Sequence, residues 1–318
     1  MTARKPVVLF GGKPTERLAY GTHLPRAAAA AGLEMRLVMD PLEVDPAEVD
    51  YLILSPSGPV RDFGGYARLK AILNLWAGVE QALALPLPER VPLTRMVEDG
   101  LSLGMLDYVT GHVLRHHLGL DRVIHNTTPL AWGGAAPPLA RDRRVSVLGL
   151  GTLGAACAAR LVQCGFRVSG WSRRPRAIDR VICHAGSEGL HSALDGAEIL
   201  VLLLPETPET TGLIGAEALA RLAPGAAVIN AGRGPLIDDA TLLAALDGGK
   251  LGHATLDVFD IEPLPDEHPF WTHPKVTVTP HIASITRPET AAPALVAQIL
   301  RSENGEPLRY VVDRGSGY

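Results

Sequence analysis

The chain has 318 residues, enough at roughly 150 per domain for about two domains with separate cores. Hydrophobic residues make up 47% and charged residues 20%, a balance that excludes disorder of the whole chain. Thirty basic against 34 acidic side chains leave a formal net charge of -4, so nothing in the bulk electrostatics draws the chain to nucleic acid or an anionic membrane.

No stretch approaches the ~20 apolar residues that cross a bilayer, and the short apolar run at residues 7–10 reads as a strand rather than a signal segment. Cys157, Cys164 and Cys183 lack CxxC spacing or a Cys/His metal pattern, which suits a reducing, cytoplasmic setting. In chain order, runs 7–10, 37–39, 51–54 and 71–75 are predicted buried strands, with an Ala-rich helix over 24–31 closed by Gly32. A helix is predicted over 105–118, preceded by a turn at 98–100, and residues 129–144 read as a Gly/Pro/Ala loop ending in Arg141, Arg143 and Arg144, a solvated approach to the next strand. A second series of strands follows at 145–148, 168–171, 199–204, 226–230, 253–258 and 275–278, and a last helix at 288–302. Five to six strands separated by helix-length segments predict a doubly wound α/β sheet. The expected organisation is two Rossmann-like domains with parallel sheets: a substrate domain of residues 1–100 and 287–318, and a dinucleotide-binding domain of residues 101–286.

The strongest local signal is Val145-Ser-Val-Leu-Gly149-Leu-Gly151-Thr-Leu-Gly154. A GxGxxG alone is weak in a chain with 33 glycines, but this one follows a strand and opens a helix, the context that dinucleotide binding requires. Gly149 permits the tight turn, Gly151 lets a pyrophosphate approach, and Gly154 lets helix and strand pack closely, with Thr152 and Leu153 in the first helical turn. The cofactor type is read at the end of the second strand, Trp171-Ser172-Arg173-Arg174. An NAD site would carry Asp or Glu there for the ribose 2′-OH; Ser172 stands in its place, followed by arginines suited to a 2′-phosphate. NADP(H) is therefore the expected cofactor, with NAD(H) the weaker alternative.

Three motifs end later strands: Val228-Ile-Asn-Ala-Gly-Arg233-Gly234, Leu256-Asp257-Val-Phe-Asp260-Ile-Glu262-Pro263, and Val278-Thr-Pro280-His281-Ile-Ala-Ser284. Each alone reads as a surface arginine, an acidic loop or an ordinary histidine. Their order after the glycine loop gives them weight. With Leu75-Trp76-Ala77-Gly78-Val79-Glu80, Leu204-Pro205-Glu-Thr-Pro-Glu-Thr210 and His268-Pro-Phe-Trp271, the chain resembles the D-isomer-specific 2-hydroxyacid dehydrogenase family from about residue 69 to 284. Within it, the cofactor loop and Trp271 are similar to the glyoxylate/hydroxypyruvate reductase A branch.

The resemblance implies an active site in an interdomain cleft, with Arg233, Glu262 and His281 as the catalytic trio. His281 would be the general acid, Glu262 its anionic partner, and Arg233 the cation on substrate carboxylate and carbonyl. It further implies substrate contacts at Trp76, Ala77, Gly78 and Val79, with backbone amides of that turn offered to the carboxylate. Leu204, Pro205, Thr210, Ala231, Gly232 and Asp257 would join the cofactor site, Asp257 at the nicotinamide amide. The implied substrate is a small 2-keto acid, the implied assembly a homodimer. Phosphite or formate dehydrogenases share the scaffold, as do corepressor-like nucleotide sensors; an intact Glu–His pair disfavours formate, and the absence of long tails disfavours a sensor. His112 and His116 lie at i, i+4, but no HExxH glutamate or third ligand accompanies them, so no metal is expected.

Overall fold

The computed structural model describes residues 4–121 and 136–315. Residues 129–135 of the expected Gly/Pro/Ala loop lie outside them. The chain divides into two compact units, Met1–Leu101 with Thr286–Tyr318, and Ser102–Ile285.

In the first unit, strands β1 (Val7–Gly11), β2 (Arg36–Val38), β3 (Tyr51–Leu54), β4 (Ala71–Asn74) and β5 (Leu93–Thr94) form one parallel sheet in the order β2-β1-β3-β4-β5. β1, β3 and β4 are buried along their whole length, as expected for parallel strands covered on both faces. Helix α1 spans Pro14–Ala30, ten residues longer at its start than the predicted Ala-rich segment. The helix runs through Pro25. Its true start is set by Pro14 at the first turn and by the Glu16 carboxylate accepting from the Lys13 amide at 2.6 Å. Tyr20, Leu24 and Ala28, four residues apart, are the buried stripe that repays the missing Pro25 hydrogen bond. That stripe packs in one core with Ala291, Ala292, Leu295, Val296 and Ile299 of the last helix, Pro288–Glu303.

The second unit holds the seven-stranded parallel sheet β12-β11-β10-β9-β6-β7-β8. Its strands are β6 (Arg144–Leu148), β7 (Arg167–Ser172), β8 (Ile182–Ala185), β9 (Ile199–Leu202), β10 (Ala226–Asn230), β11 (Leu251–Leu256) and β12 (Val276–Val278). The chain lays β6, β7 and β8 outward in one direction, then returns to place β9 on the other side of β6. That reversal is the topological switch point outside which doubly wound sheets bind ligands. Sequence reading missed β8 because it is an edge strand whose Ile182 is half exposed and whose Cys183 and His184 break the apolar run. It missed β5, two residues long, for want of any period.

Helix α2 is a single turn, Glu80–Leu83, and helix α3 spans Asp99–Leu118, starting six residues before the predicted Met105. The expected turn at 98–100 is its cap: the buried Glu98 carboxylate accepts from the amides of Gly100 and Leu101, the latter at 2.7 Å. Arg143 is not a solvated arginine. It donates to Glu198 at 2.7 Å, and the other oxygen of Glu198 accepts from the Arg144 amide at 2.9 Å, tying the start of β6 to the approach to β9. Among the described residues no helix is long and apolar enough to cross a membrane.

Candidate active site

The glycine loop sits at the C-terminal end of β6. Gly149, at φ 105°, donates its amide to the Trp171 carbonyl at 2.8 Å and lies so close to Leu203 that a Cβ would come within 2.5 Å of its carbonyl oxygen. At Gly154 a Cβ would come within 1.8 Å of the Gly149 oxygen, so helix α4 (Thr152–Gln163) can pack on this turn only without a side chain there. Gly151 is different: a Cβ on it would meet nothing within 4 Å. The fold needs the first and third glycines for packing. It leaves open space over the second, in front of a twelve-residue helix with no side-chain cap on its first turn. That cradle fits a pyrophosphate, which the helix N-terminus would receive with amide donors and positive dipole.

At the end of β7, the Ser172 hydroxyl donates to the Arg174 carbonyl at 2.7 Å and folds the short loop that carries Arg173 and Arg174 into solvent. Arg173 also lowers the Glu209 carboxyl electrostatically, after that group's own hydrogen bonds with Thr207 and its backbone. Trp171 was expected beside the cofactor, but its indole turns into the core and donates to the Gly186 carbonyl at 2.7 Å. What Trp171 supplies to the loop is the carbonyl held by Gly149. Thr210 closes its own loop, donating to the Pro205 carbonyl at 2.7 Å and accepting from the Thr207 amide at 2.8 Å.

The three strand-end motifs converge at the ends of β10, β11 and β12. Asn230, the last residue of β10 and 2% exposed, grips the turn that carries Arg233 from both sides. Its Oδ1 accepts from the Gly232 amide at 3.1 Å and its Nδ2 donates to the Arg233 carbonyl at 2.9 Å. The Asn230 carbonyl accepts from the Asp257 amide at 2.9 Å, so one residue joins two of the three loops. Ala231 and Gly232 run close beneath Leu204: a Cβ on Gly232 would lie 2.9 Å from the Leu204 carbonyl oxygen. Gly234 is tighter still, its Cβ position 2.0 Å from the Phe259 carbonyl carbon, which brings the Arg233 turn against the Glu262 loop. The Arg233 side chain donates to the Gly232 carbonyl at 2.6 Å.

Glu262 accepts from the Phe259 amide at 3.0 Å with one oxygen and holds the His281 Nδ1 at 2.7 Å with the other. The hydrogen bond His281 donates to Glu262 is the largest influence on the histidine and raises its pKa above the ordinary value; burial opposes, the charges of Glu262 and Asp257 assist, and Arg233 opposes. Burial alone would raise Glu262, but the hydrogen bonds from His281 and Phe259, with the charges of His281 and Arg233, hold its pKa below the ordinary value. Both directions describe an ion pair. Its members remain 52% and 35% exposed, so a small molecule can reach them.

His281 has a left-handed backbone, φ 53°, unusual for a residue with a side chain. Its amide donates to the Asp257 carbonyl at 2.9 Å and to the Thr279 carbonyl at 3.0 Å, which holds that conformation. Asp257, expected at a nicotinamide amide, is 1% exposed and spends its carboxylate on this turn. It accepts from the Thr279 hydroxyl at 2.6 Å and from the amides of Ile282 and Ala283 at 2.9 Å each. Sequence reading missed Asn230 and Thr279. The available signal was a polar residue at the end of an otherwise apolar strand, immediately before a glycine- or proline-bearing turn.

In the first unit, Asn74 at the end of β4 donates to the carbonyls of Trp76 and Gly78, both at 2.9 Å. With those carbonyls drawn inward, the amides of residues 76–79 make no hydrogen bond among the described residues, a nest suited to an anion. The α3 histidines are packed instead of ligating. His116 shares a hydrogen bond with Thr255 at 2.9 Å and burial pushes its pKa down to about 3; burial, then Arg115, takes His112 to about 4. Among the described residues no group of three His, Cys, Asp or Glu is arranged to hold a metal.

The family profile of the D-isomer specific 2-hydroxyacid dehydrogenase, NAD binding domain, matches residues 111–283. The chain belongs to the D-isomer specific 2-hydroxyacid dehydrogenase family. The glyoxylate/hydroxypyruvate reductase A of Serratia proteamaculans is 41% identical to it over 299 residues, 91% of this chain and 95% of that protein. A family member from Xanthobacter autotrophicus Py2, solved in complex with NADPH and MES, superposes with a TM-score of 0.91 at 42% identity and covers 99% of this chain and 100% of its own. The NADPH-dependent glyoxylate/hydroxypyruvate reductase of Sinorhizobium meliloti, solved with NADP and sulfate, does so at 0.86 and 34% identity with the same coverage. Family membership and the NADPH- and NADP-bound relatives make the chain an NADP-dependent oxidoreductase.

Proposed function

We propose that this chain is an NADPH-dependent reductase of small 2-keto acids, taking glyoxylate to glycolate and hydroxypyruvate to D-glycerate. The observation that carries the reading is the accessible His281–Glu262 ion pair beside Arg233, at the same strand ends as an acid-free cofactor loop. The names of the relatives from Serratia and Sinorhizobium support the substrate class, and the NADPH- and NADP-bound relatives support the cofactor. The open space over Gly151 takes the pyrophosphate, and Ser172, Arg173 and Arg174 take the 2′-phosphate. NADPH, when bound, supplies the hydride that goes to C2.

The chain's residues do the rest. Glu262 occupies Nδ1 of His281, so Nε2 is the nitrogen left to give its proton to the carbonyl oxygen. The negative charge of Glu262 keeps the imidazolium populated at neutral pH. Arg233, fixed through its own loop, binds the substrate carboxylate and offsets charge developing on the carbonyl oxygen. We extend the proposal to a homodimer acting in the cytoplasm, in line with the family resemblance and the sparse, unpaired cysteines.

The test follows NADPH and NADH oxidation with glyoxylate, hydroxypyruvate, pyruvate and bulkier 2-keto acids. Turnover is expected with the two smallest and with NADPH in preference to NADH. His281→Ala should lose about 10²- to 10⁴-fold in kcat while melting as the wild type does. A folded His281→Ala protein with near-normal turnover removes the proposed acid.

A further inference from the structure

The proposed acid stands at the end of a chain of hydroxyl groups that begins on α3. The Thr279 hydroxyl has one proton and gives it to Asp257 Oδ1 at 2.6 Å, the partner there being an acceptor only. It can therefore only accept from the Tyr108 hydroxyl, 2.7 Å away. The direction is fixed: Tyr108 donates to Thr279, Thr279 donates to Asp257, and Asp257 holds the 281–283 turn through its carboxylate and its carbonyl. Tyr108 is half-buried against the His112 ring, 4.4 Å between centroids, and that burial raises its pKa so that it remains a donor.

We propose that Tyr108 and Thr279 are positioning residues for His281, acting through Asp257 to hold the histidine's left-handed backbone and thereby its ring against Glu262. The inference rests on the reading of His281 as the general acid. An Asp257 deprived of its Thr279 donor is a buried carboxylate short of a hydrogen bond, and the turn it clamps carries the φ of 53° at His281. The groups facing His281 are Glu262, Asp257 and Arg233; those facing Tyr108 are Asp257, Arg115 and His112. Glu262 contributes the largest raising influence on the histidine, so displacing the ring from it lowers the His281 pKa.

The decisive variants are Thr279→Val, which keeps shape and loses the hydroxyl, Thr279→Ser, which restores it, and Tyr108→Phe. Each is checked by thermal melting and by NADPH binding, to set aside unfolding. Thr279→Val is expected to lower kcat for glyoxylate by about tenfold or more, with KM for NADPH little changed, and to move the alkaline limb of the kcat–pH profile downwards. Thr279→Ser should return both quantities to near wild type, and Tyr108→Phe should shift both in the same direction by less. The imidazole titration of His281, followed by NMR and assigned by its loss in His281→Asn, reads the same displacement without turnover. A folded Thr279→Val protein with an unchanged His281 titration overturns the proposal whatever its kcat, as does failure of Thr279→Ser to rescue. If the wild type reduces no 2-keto acid, the functional reading fails and the NMR arm still decides this one.

Discussion

Asn230 offers the most direct test of how the Arg233 loop is held. Replacing it by leucine keeps its branched skeleton and removes both grips on the turn. The Gly232 amide is then left buried without a partner, at a cost of about 1–3 kcal/mol, and the half-buried Arg233 carbonyl loses a bond worth about 0.5–1.5 kcal/mol. Together these amount to about 1.5–4.5 kcal/mol, which for a unit of this size lowers Tm by roughly 3–18 °C. Below that temperature the protein remains folded, and the second effect is read in the kinetics. A guanidinium displaced by about 1 Å costs about a hundredfold in kcat/KM for the keto acid. Melting curves and steady-state kinetics with glyoxylate varied at saturating NADPH measure both. An Asn230→Leu protein that melts with the wild type, or that melts early yet keeps its kcat/KM, refutes the view that this amide positions Arg233.

The glycines separate packing from binding. Gly151→Ala should leave Tm unchanged within about 0.5 kcal/mol of stability and raise the NADPH Kd by about tenfold or more, whereas Gly154→Ala should fail to fold, since its Cβ falls 1.8 Å from the Gly149 oxygen. Ser172→Asp places a carboxylate where the 2′-phosphate is proposed to sit; kcat/KM with NADPH should fall at least about tenfold and that with NADH hold or rise, measured by parallel titrations of the two cofactors. The pH dependence follows from the sign of the His281 shift. A general acid with a raised pKa stays protonated above the ordinary histidine value, so kcat for reduction is flat at low pH and falls as pH rises through the raised value. Glu262→Gln removes the largest cause of that shift, and its alkaline limb should lie at lower pH; an unmoved limb would separate the limb from His281.

Much of the site was legible in the linear chain because its key residues end strands. Gly149, Gly151 and Gly154 lie within six residues on a strand–turn–helix, and Arg233, Glu262 and His281 each follow an apolar run and a turn signal. A parallel sheet puts all such strand ends on one edge, so order along the chain became proximity in space. The absence of an acid at Ser172 was equally local. What escaped was the set of residues whose partners are distant in sequence. The Trp171 indole finds its partner in the Gly186 carbonyl, 15 residues on. Arg143 reads as a solvated cation until Glu198, 55 residues on, is brought beneath it. Only the folded chain shows Thr279, Ile282 and Ala283 converging on the Asp257 carboxylate.

The parallel α/β architecture, the glycine loop, the cofactor class and the His281, Glu262 and Arg233 positions proposed as acid, partner and anion-binding cation were all readable in the linear chain. These depend on residue type and on spacing within a few turns of chain, where hydrophobic periodicity and strand-end placement suffice. The tertiary structure alone decided that a mid-helix proline would be tolerated at Pro25 and that the weakly patterned strands β5 and β8 would pair. It also decided that Asn230 and the Tyr108–Thr279–Asp257 chain would hold the catalytic loops. Those outcomes belong to burial and to hydrogen bonds between residues up to 171 positions apart, as between Tyr108 and Thr279, and no local pattern encodes which distant partner a buried polar group will find.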